Sequence, residues 1–160
     1  AAVKTTGNIT HIRDPETGSH LDRMSRYSRL IATSLADKYH LDDTYIEHIF
    51  MFSPLHDIGK IGIPDHILLK PGKFEPEEWK IMQTHAQIGA DILSGDDSEL
   101  MMMAYDIALT HHEKWNGKGY PHGLAGEAIP LEARIVSVAD AFDALTSKRV
   151  YKPPFTLAKA

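Results

Sequence analysis

The chain contains no cysteine. A disulfide framework and any thiolate metal site are therefore excluded, and a metal would have to be held by imidazole and carboxylate, donors that suit Fe, Mn, Zn, Ni or Co. Long apolar runs are also missing. Charge interrupts them every few residues, far short of the roughly 18 to 20 needed to span a bilayer, and no basic-then-apolar leader opens the chain. The expectation is a cytoplasmic, soluble domain that makes no use of a membrane. Positive charge is scarce as well: a net charge of −5 argues against duplex nucleic acid as the main ligand. A small phosphate ligand stays allowed, because divalent ions reverse the local sign of the potential. No alternating β pattern of useful length, internal repeat or low-complexity tract is present. At 160 residues with a 42% hydrophobic fraction, the chain fits one all-α domain, an irregular helical bundle.

Histidine, in contrast, is plentiful, with ten residues. The chain is organised around Leu55 to Pro64, where His56-Asp57 follows an apolar segment (Ile49, Phe50, Met51, Phe52, Leu55) and Lys60 comes three residues later. An imidazole and a carboxylate at the end of such a segment can hold a cation where water is scarce, which strengthens it as an electrophile. The doublet alone is equally the mark of a buried His capped by its neighbour. Glu16 and His20, His85, His111-His112 and Asp140, on other helices, answer it. The remaining histidines (His11, His40, His48, His66, His122) read as surface or cap residues.

In order, residues 1–12 are polar and aperiodic and read as a linker or frayed entry. From Pro15 to about Tyr39, Leu21, Met24, Tyr27, Ser28, Ile31, Leu35 and Ala36 recur at helical spacing, with Asp14 as cap. Glu16 and His20, four apart, share a face near its start. A second helix begins at Asp42-Asp43 and ends near His56-Asp57. Gly59, Gly62 and Pro64 then turn a loop whose isoleucines and leucines strap it to the core. Helices follow over Glu75–Met82, His85–Leu93 and Leu100–His112, with Met101 to Met103 as core filling. Glu113 to Pro130 is a long loop with four glycines and two prolines, and ordered loops of this length are usually functional. Leu131 to Val150 is helical again, with Ile135, Val138, Ala139, Phe142 and Leu145 toward the core and Asp140 and Asp143 on one side.

Imidazoles and carboxylates pointing inward from separate helices are a standard way to build a multi-metal site in a bundle. Five histidines with Glu16, Asp57 and Asp140 exceed what one ion accepts, so at least two ions are implied. His111 and His112, about 100° apart on a helix, could each serve a different ion. Asp57 can bridge two ions through its two oxygens, and a hydroxide shared between them would attack phosphorus. Lys60 is placed to neutralise a phosphate oxygen. Arg149, Lys152 and Arg134 would add charge for a second phosphate, although such isolated basic residues are more often surface groups. Tyr120 and Trp115 either stack on a base or pin the long loop to the core.

Several blocks together carry a resemblance: His-Asp-Ile-Gly-Lys-Ile-Gly-Ile-Pro (56–64), Lys-Pro-Gly-Lys (70–73), His-Ala-Gln-Ile-Gly-Ala (85–90), His-His-Glu-Lys-Trp-Asn-Gly-Lys-Gly-Tyr-Pro (111–121) and Val-Ala-Asp-Ala-Phe-Asp-Ala-Leu-Thr-Ser (138–147). Over Arg13 to Tyr151 the chain resembles the HD-GYP domain of the HD phosphohydrolase superfamily, whose members degrade the bacterial messenger cyclic di-GMP. The resemblance implies that His56, Asp57, His85, His111, His112 and Asp140 are metal ligands with Asp57 bridging, that His20 completes the shell, and that Glu16 supports a third ion in some relatives. It implies that Lys60, Asp143, Arg149 and Lys152 line the ligand phosphates, while Gly119-Tyr120-Pro121 shapes the rim. Two or three divalent ions are expected, iron for activity, with manganese, nickel or zinc as other occupants.

The expected reaction is hydrolysis of cyclic di-GMP to linear pGpG, and onward to GMP. The alternatives are a catalytically weak cyclic-dinucleotide sensor that signals through a partner, or a hydrolase of another cyclic dinucleotide such as cyclic GMP-AMP. Relatives usually continue past the Tyr-Lys-Pro-Pro-Phe region with further helices. Residues 13–160 are thus expected to form the domain without its C-terminal helices, with pairing to a second copy and an upstream receiver or sensor domain as further expectations.

Overall fold

In a computed structural model of the chain, residues 18–95 and 98–147 are described. Helix α1 spans Gly18–Tyr39 and buries His20, Met24, Ser28 and Ala32, one residue every fourth position, so a single stripe faces inward. Helix α2 (Asp43–Phe52) starts where the Asp42 side chain accepts the Tyr45 backbone N–H at 2.8 Å, which satisfies a donor that the first helical turn would otherwise leave open. Pro54 lacks an N–H and cannot extend an α-helix, and the chain tightens into a 3₁₀ turn over Ser53–Leu55. A second 3₁₀ segment, Ile58–Gly62, follows directly, so His56 and Asp57 lie between two tight coils.

The segment expected as a strapped loop is thus mostly helical, ending in the short α3 (Asp65–Leu68). Helix α4 (Pro76–Gln83) is opened by a reciprocal cap between Glu75 and Glu78. Helices α5 (His85–Leu93) and α6 (Glu99–Thr110) come next, and α7 (Leu131–Thr146) closes the described fold. The long loop between α6 and α7 holds a 3₁₀ turn (Gly126–Ala128) and one isolated bridge, Asn116 to Ala125, and no strand occurs among the described residues. The domain is all-α.

Helix α1 packs on α2 and α7, and α6 lies against α2, α5 and α7. Met24, Ile49, Phe52, Leu55, Ile107 and Ile135 form the shared core; burying each such side chain contributes about 1.5–3 kcal/mol. A smaller cluster of Ile63, Ile67, Leu68 and Met82 seats the 59–69 segment. Gly59 is what lets that segment reach α5: a Cβ there would stand 1.8 Å from the His85 carbonyl oxygen and 2.5 Å from the Gly89 nitrogen. Backbone touches backbone at this point, which only glycine permits.

Three expectations about the core are corrected. Val138 and Leu145 lie on the outer side of α7, and Met102 turns away from its partly buried neighbours Met101 and Met103. Each falls off the stripe of its helix that faces a neighbour, so position on the helix overrides apolar character. Glu16, Arg149 and Lys152, with the capping pair Asp14-Pro15 and the last part of the helix expected to reach Val150, lie outside the described residues.

Candidate metal centre

Three of the site histidines stand at helix ends. His56 follows the Ser53–Leu55 turn, His85 lies just beyond α4, and His111 caps α6. The last carbonyls of a helix have no partner within it, and a side chain there leans back along the axis. Each imidazole uses this. His56 Nδ1 donates to the Ser53 carbonyl at 2.7 Å, His85 Nδ1 to Met82 at 2.6 Å, and His111 Nδ1 to Ile107 and Ala108 at 3.0 and 3.1 Å. A carbonyl can only accept, so Nδ1 carries the proton and Nε2 presents a lone pair to the interior.

His20 reaches the same state by another route. Its Nδ1 lies 2.6 Å from Asp143 Oδ2, and Arg23 and Ser147 hold Asp143 Oδ1. Burial works to raise the Asp143 carboxyl, but its bonds to His20, Arg23 and Ser147 hold it well below the usual range. An ionised Asp143 fixes the His20 tautomer and orientation. Asp143, expected from the resemblance to line the ligand phosphates, is here buried with its oxygens bonded to these three partners.

The lone pairs converge on Asp57. Its Oδ1 lies 3.2 Å from His111 Nε2 and 3.3 Å from His85 Nε2, while Oδ2 lies 3.1 Å from His56 Nε2 and 3.3 Å from Lys60 Nζ. Two donor groups result, Asp57-His85-His111-His112 and His20-His56-Asp57, each with ligand atoms within 4.8 Å of one another and with Asp57 common to both. Asp140 stands at the edge of the second, its Oδ1 3.9 Å from both His20 Nε2 and His56 Nε2.

His111 and His112 belong to the same group, with ring centroids 4.1 Å apart, and do not divide between two. The division falls instead between His20-His56 and the other three imidazoles.

This donor set fits a metal. Nε2 of His56 and of His85 is buried with no hydrogen-bond partner, yet an Asp57 oxygen faces each. Lone pairs opposed at this range repel unless a cation lies between them. The titration of the groups expresses the same demand. Burial pushes His56 down, but Asp57 and Asp140 overcome it and lift the imidazole to about 10, so that without a metal a proton takes the cation's place between His56 and Asp57. Burial also works to raise Asp57, while the charges of His56 and Lys60 hold it well below the ordinary carboxylate range. Burial lowers His111 and His112, keeping both neutral as ligation requires.

Glu113, not singled out in the sequence, ties down the rim that Gly119 and Tyr120 shape. Glu113 is buried and accepts the backbone N–H groups of His122, Gly123 and Leu124 at 2.9–3.1 Å, tying the far side of the long loop to the two histidines before it. Gly119 passes so close that a Cβ would meet the His112 carbonyl oxygen at 2.3 Å. Tyr120 then stacks on His112, centroids 4.8 Å apart and planes 18° apart. Trp115 is exposed and lies under Arg134, while Trp79 of α4 meets Tyr120 instead. A loop-anchoring acid beside two histidines has no local signature, because its partners are nine to eleven residues on.

A helical domain whose interior gathers five imidazoles around a shared carboxylate is, in its donor chemistry, a scaffold built to hold metal ions. The chain belongs to the HD domain family, whose profile matches residues 15–160. It is 48% identical, over 100% of its length, to 38% of a probable cyclic di-GMP phosphodiesterase of Vibrio cholerae. It is 49% identical over 92% of its length to 38% of a cyclic di-GMP phosphodiesterase response regulator of Xanthomonas campestris. A 3'3'-cGAMP-specific phosphodiesterase of Vibrio cholerae is 47% identical over 96% of the chain, which spans 29% of that relative. The chain thus spans about a third of the length of these relatives. No described helix is long and apolar enough to cross a membrane.

Proposed function

We propose that this chain is a metal-dependent phosphodiesterase that opens a cyclic dinucleotide, cyclic di-GMP, to linear pGpG and onward to GMP, in the cytoplasm. The observation that carries the reading is the division of Asp57: one oxygen faces His85 and His111, the other His56 and Lys60. Divalent ions would be held by Asp57 together with His85, His111 and His112 on one side and with His20, His56 and Asp140 on the other. Iron is the expected metal, with manganese, nickel or zinc as other occupants and Glu16 as support for a third ion. Ions so held supply Lewis acidity toward a phosphoryl oxygen and lower the pKa of water near them.

The chain's own residues do the rest. The helix-end carbonyls and Asp143 engage Nδ1 of His20, His56, His85 and His111 and aim each Nε2 inward, so little reorganisation is needed when the ligand arrives. Lys60, largely buried with its ammonium 3.3 Å from Asp57, keeps a fixed positive charge for a non-bridging phosphate oxygen, which is worth more in a water-poor site. Tyr120 and the loop tied down by Glu113 cover His112 and restrict water. Arg149 and Lys152 are proposed to meet the second phosphate.

The names of relatives divide between cyclic di-GMP and 3'3'-cGAMP, so substrate choice is the natural second measurement. The response-regulator relative supports a receiver domain as the regulatory partner. The test is turnover of both cyclic dinucleotides by protein loaded with Fe(II) or Mn(II) under reducing conditions, with metal content measured alongside. We expect linear product from the parent and none from Asp57→Ala. A fully loaded parent that binds the nucleotide and releases no product would leave the sensor reading in its place.

A further inference from the structure

From the His112 side of the centre an aromatic wall runs outward. Tyr120 stacks on His112 and lies 6.4 Å from the His85 ring. Trp79 meets Tyr120 edge to face at 5.9 Å, and Phe74 stacks with Trp79 at 6.2 Å and 20°. The two outer residues come from a different part of the chain than Tyr120. Helix α4 buries Met82 against the 59–69 segment and turns Trp79 outward, where it stays 44% exposed.

Burying an indole contributes more than burying almost any other side chain, so a Trp left open beside a site has a surface to give a ligand. Trp115, at 63% exposure, is the natural contrast: it touches Arg134 and has no ring contact with the site histidines or Tyr120 among the described residues.

We infer that Trp79, backed by Phe74 and Tyr120, is the stacking platform for a nucleobase of the substrate. The inference rests on the phosphodiesterase reading and adds to it where a base lies. In a nucleotide the base stands one sugar away from the phosphate, and the wall leads outward from the His112 side of the centre through Tyr120 to Trp79 in two ring contacts of 4.8 and 5.9 Å. Stacking accepts any base, because each offers a π face. Trp79 therefore contributes affinity for cyclic dinucleotides in general and leaves the choice of base to other groups.

The experiment compares Trp79→Ala, Trp79→Phe and Trp115→Ala in metal-loaded protein on cyclic di-GMP, cyclic GMP-AMP and the small base-free diester methyl p-nitrophenyl phosphate. Circular dichroism checks the fold of each variant. Loss of one base–aromatic stack predicts roughly a tenfold rise in KM for both dinucleotides in Trp79→Ala, with kcat within about twofold and the small diester unaffected. Trp79→Phe should recover most of the loss, and Trp115→Ala should match the parent.

In a Trp115→Phe background, cyclic di-GMP should quench the remaining tryptophan fluorescence and inorganic phosphate should not. Equal losses on the dinucleotides and the small diester would show that Trp79 only props Tyr120, and would overturn the inference. So would unchanged KM with no quenching, in which case turnover by the parent still supports the phosphodiesterase. Failure of the parent on all three substrates, with no quenching, removes both readings together.

Discussion

A histidine becomes a metal ligand through what its other nitrogen does. In this chain the ring is oriented from behind four times, three times by a carbonyl at a helix end and once by Asp143. The carbonyl-held rings depend on local geometry, whereas His20 depends on one side chain. Asp143→Asn keeps the size of that side chain and removes its charge, so the His20 tautomer is no longer enforced. We expect metal affinity to fall by about 10- to 100-fold, the usual effect of losing such an outer partner, with the melting of metal-free protein much less changed. Competition with a chelator measures it; an unaltered metal affinity would refute the assigned role.

The centre is assembled by short segments pressed together more than by long helices. The Ile58–Gly62 turn carries Asp57 and Lys60 at its start, and α5 carries His85; the two meet where Gly59 lies against the His85 carbonyl. Gly59→Ala must push them apart, because both obstructing atoms belong to backbone and cannot rotate aside. The expected cost is about 3 kcal/mol, at the upper end for overpacking. A urea titration of metal-free protein checks this, and a variant as stable as the parent would show that the close approach is not needed. Gly62→Ala is a useful companion, since its Cβ would meet only the Ile88 side chain at 3.0 Å, which can shift.

Across the molecule, burial also places charge away from the centre. Asp106 of α6 faces Glu132 of α7, and Tyr45 of α2 donates to Glu132 at 3.2 Å. Burial, then the hydrogen bond and the repulsion from Glu132, raise Asp106 to about 6. A folded pKa above the unfolded value means the native state binds the extra proton between them. This contribution is therefore complete below about pH 4 and is lost as pH rises through about 6. After allowance for the partial exposure of Asp106, its size is about 1 kcal/mol. Asp106→Asn keeps a donor toward Glu132 and cannot ionise, so the difference in unfolding free energy between variant and parent should grow in the variant's favour from pH 4 to 7. A difference that stays constant would mean Asp106 titrates normally.

The order of the helices, the start of one at Asp42, and the supply of imidazole and carboxylate were legible in the amino-acid order, because helical period and capping act within a few residues. The exposure of Val138 and Leu145 and the shared membership of His111 and His112 in one group were not, since each depends on which neighbour packs where. Distance along the chain is the physical reason. His20 and Asp143 are 123 residues apart, and their pairing, like the facing of Asp57's two oxygens to two sets of rings, exists only once the bundle has closed. Composition named the donors; packing alone assigned each its partner.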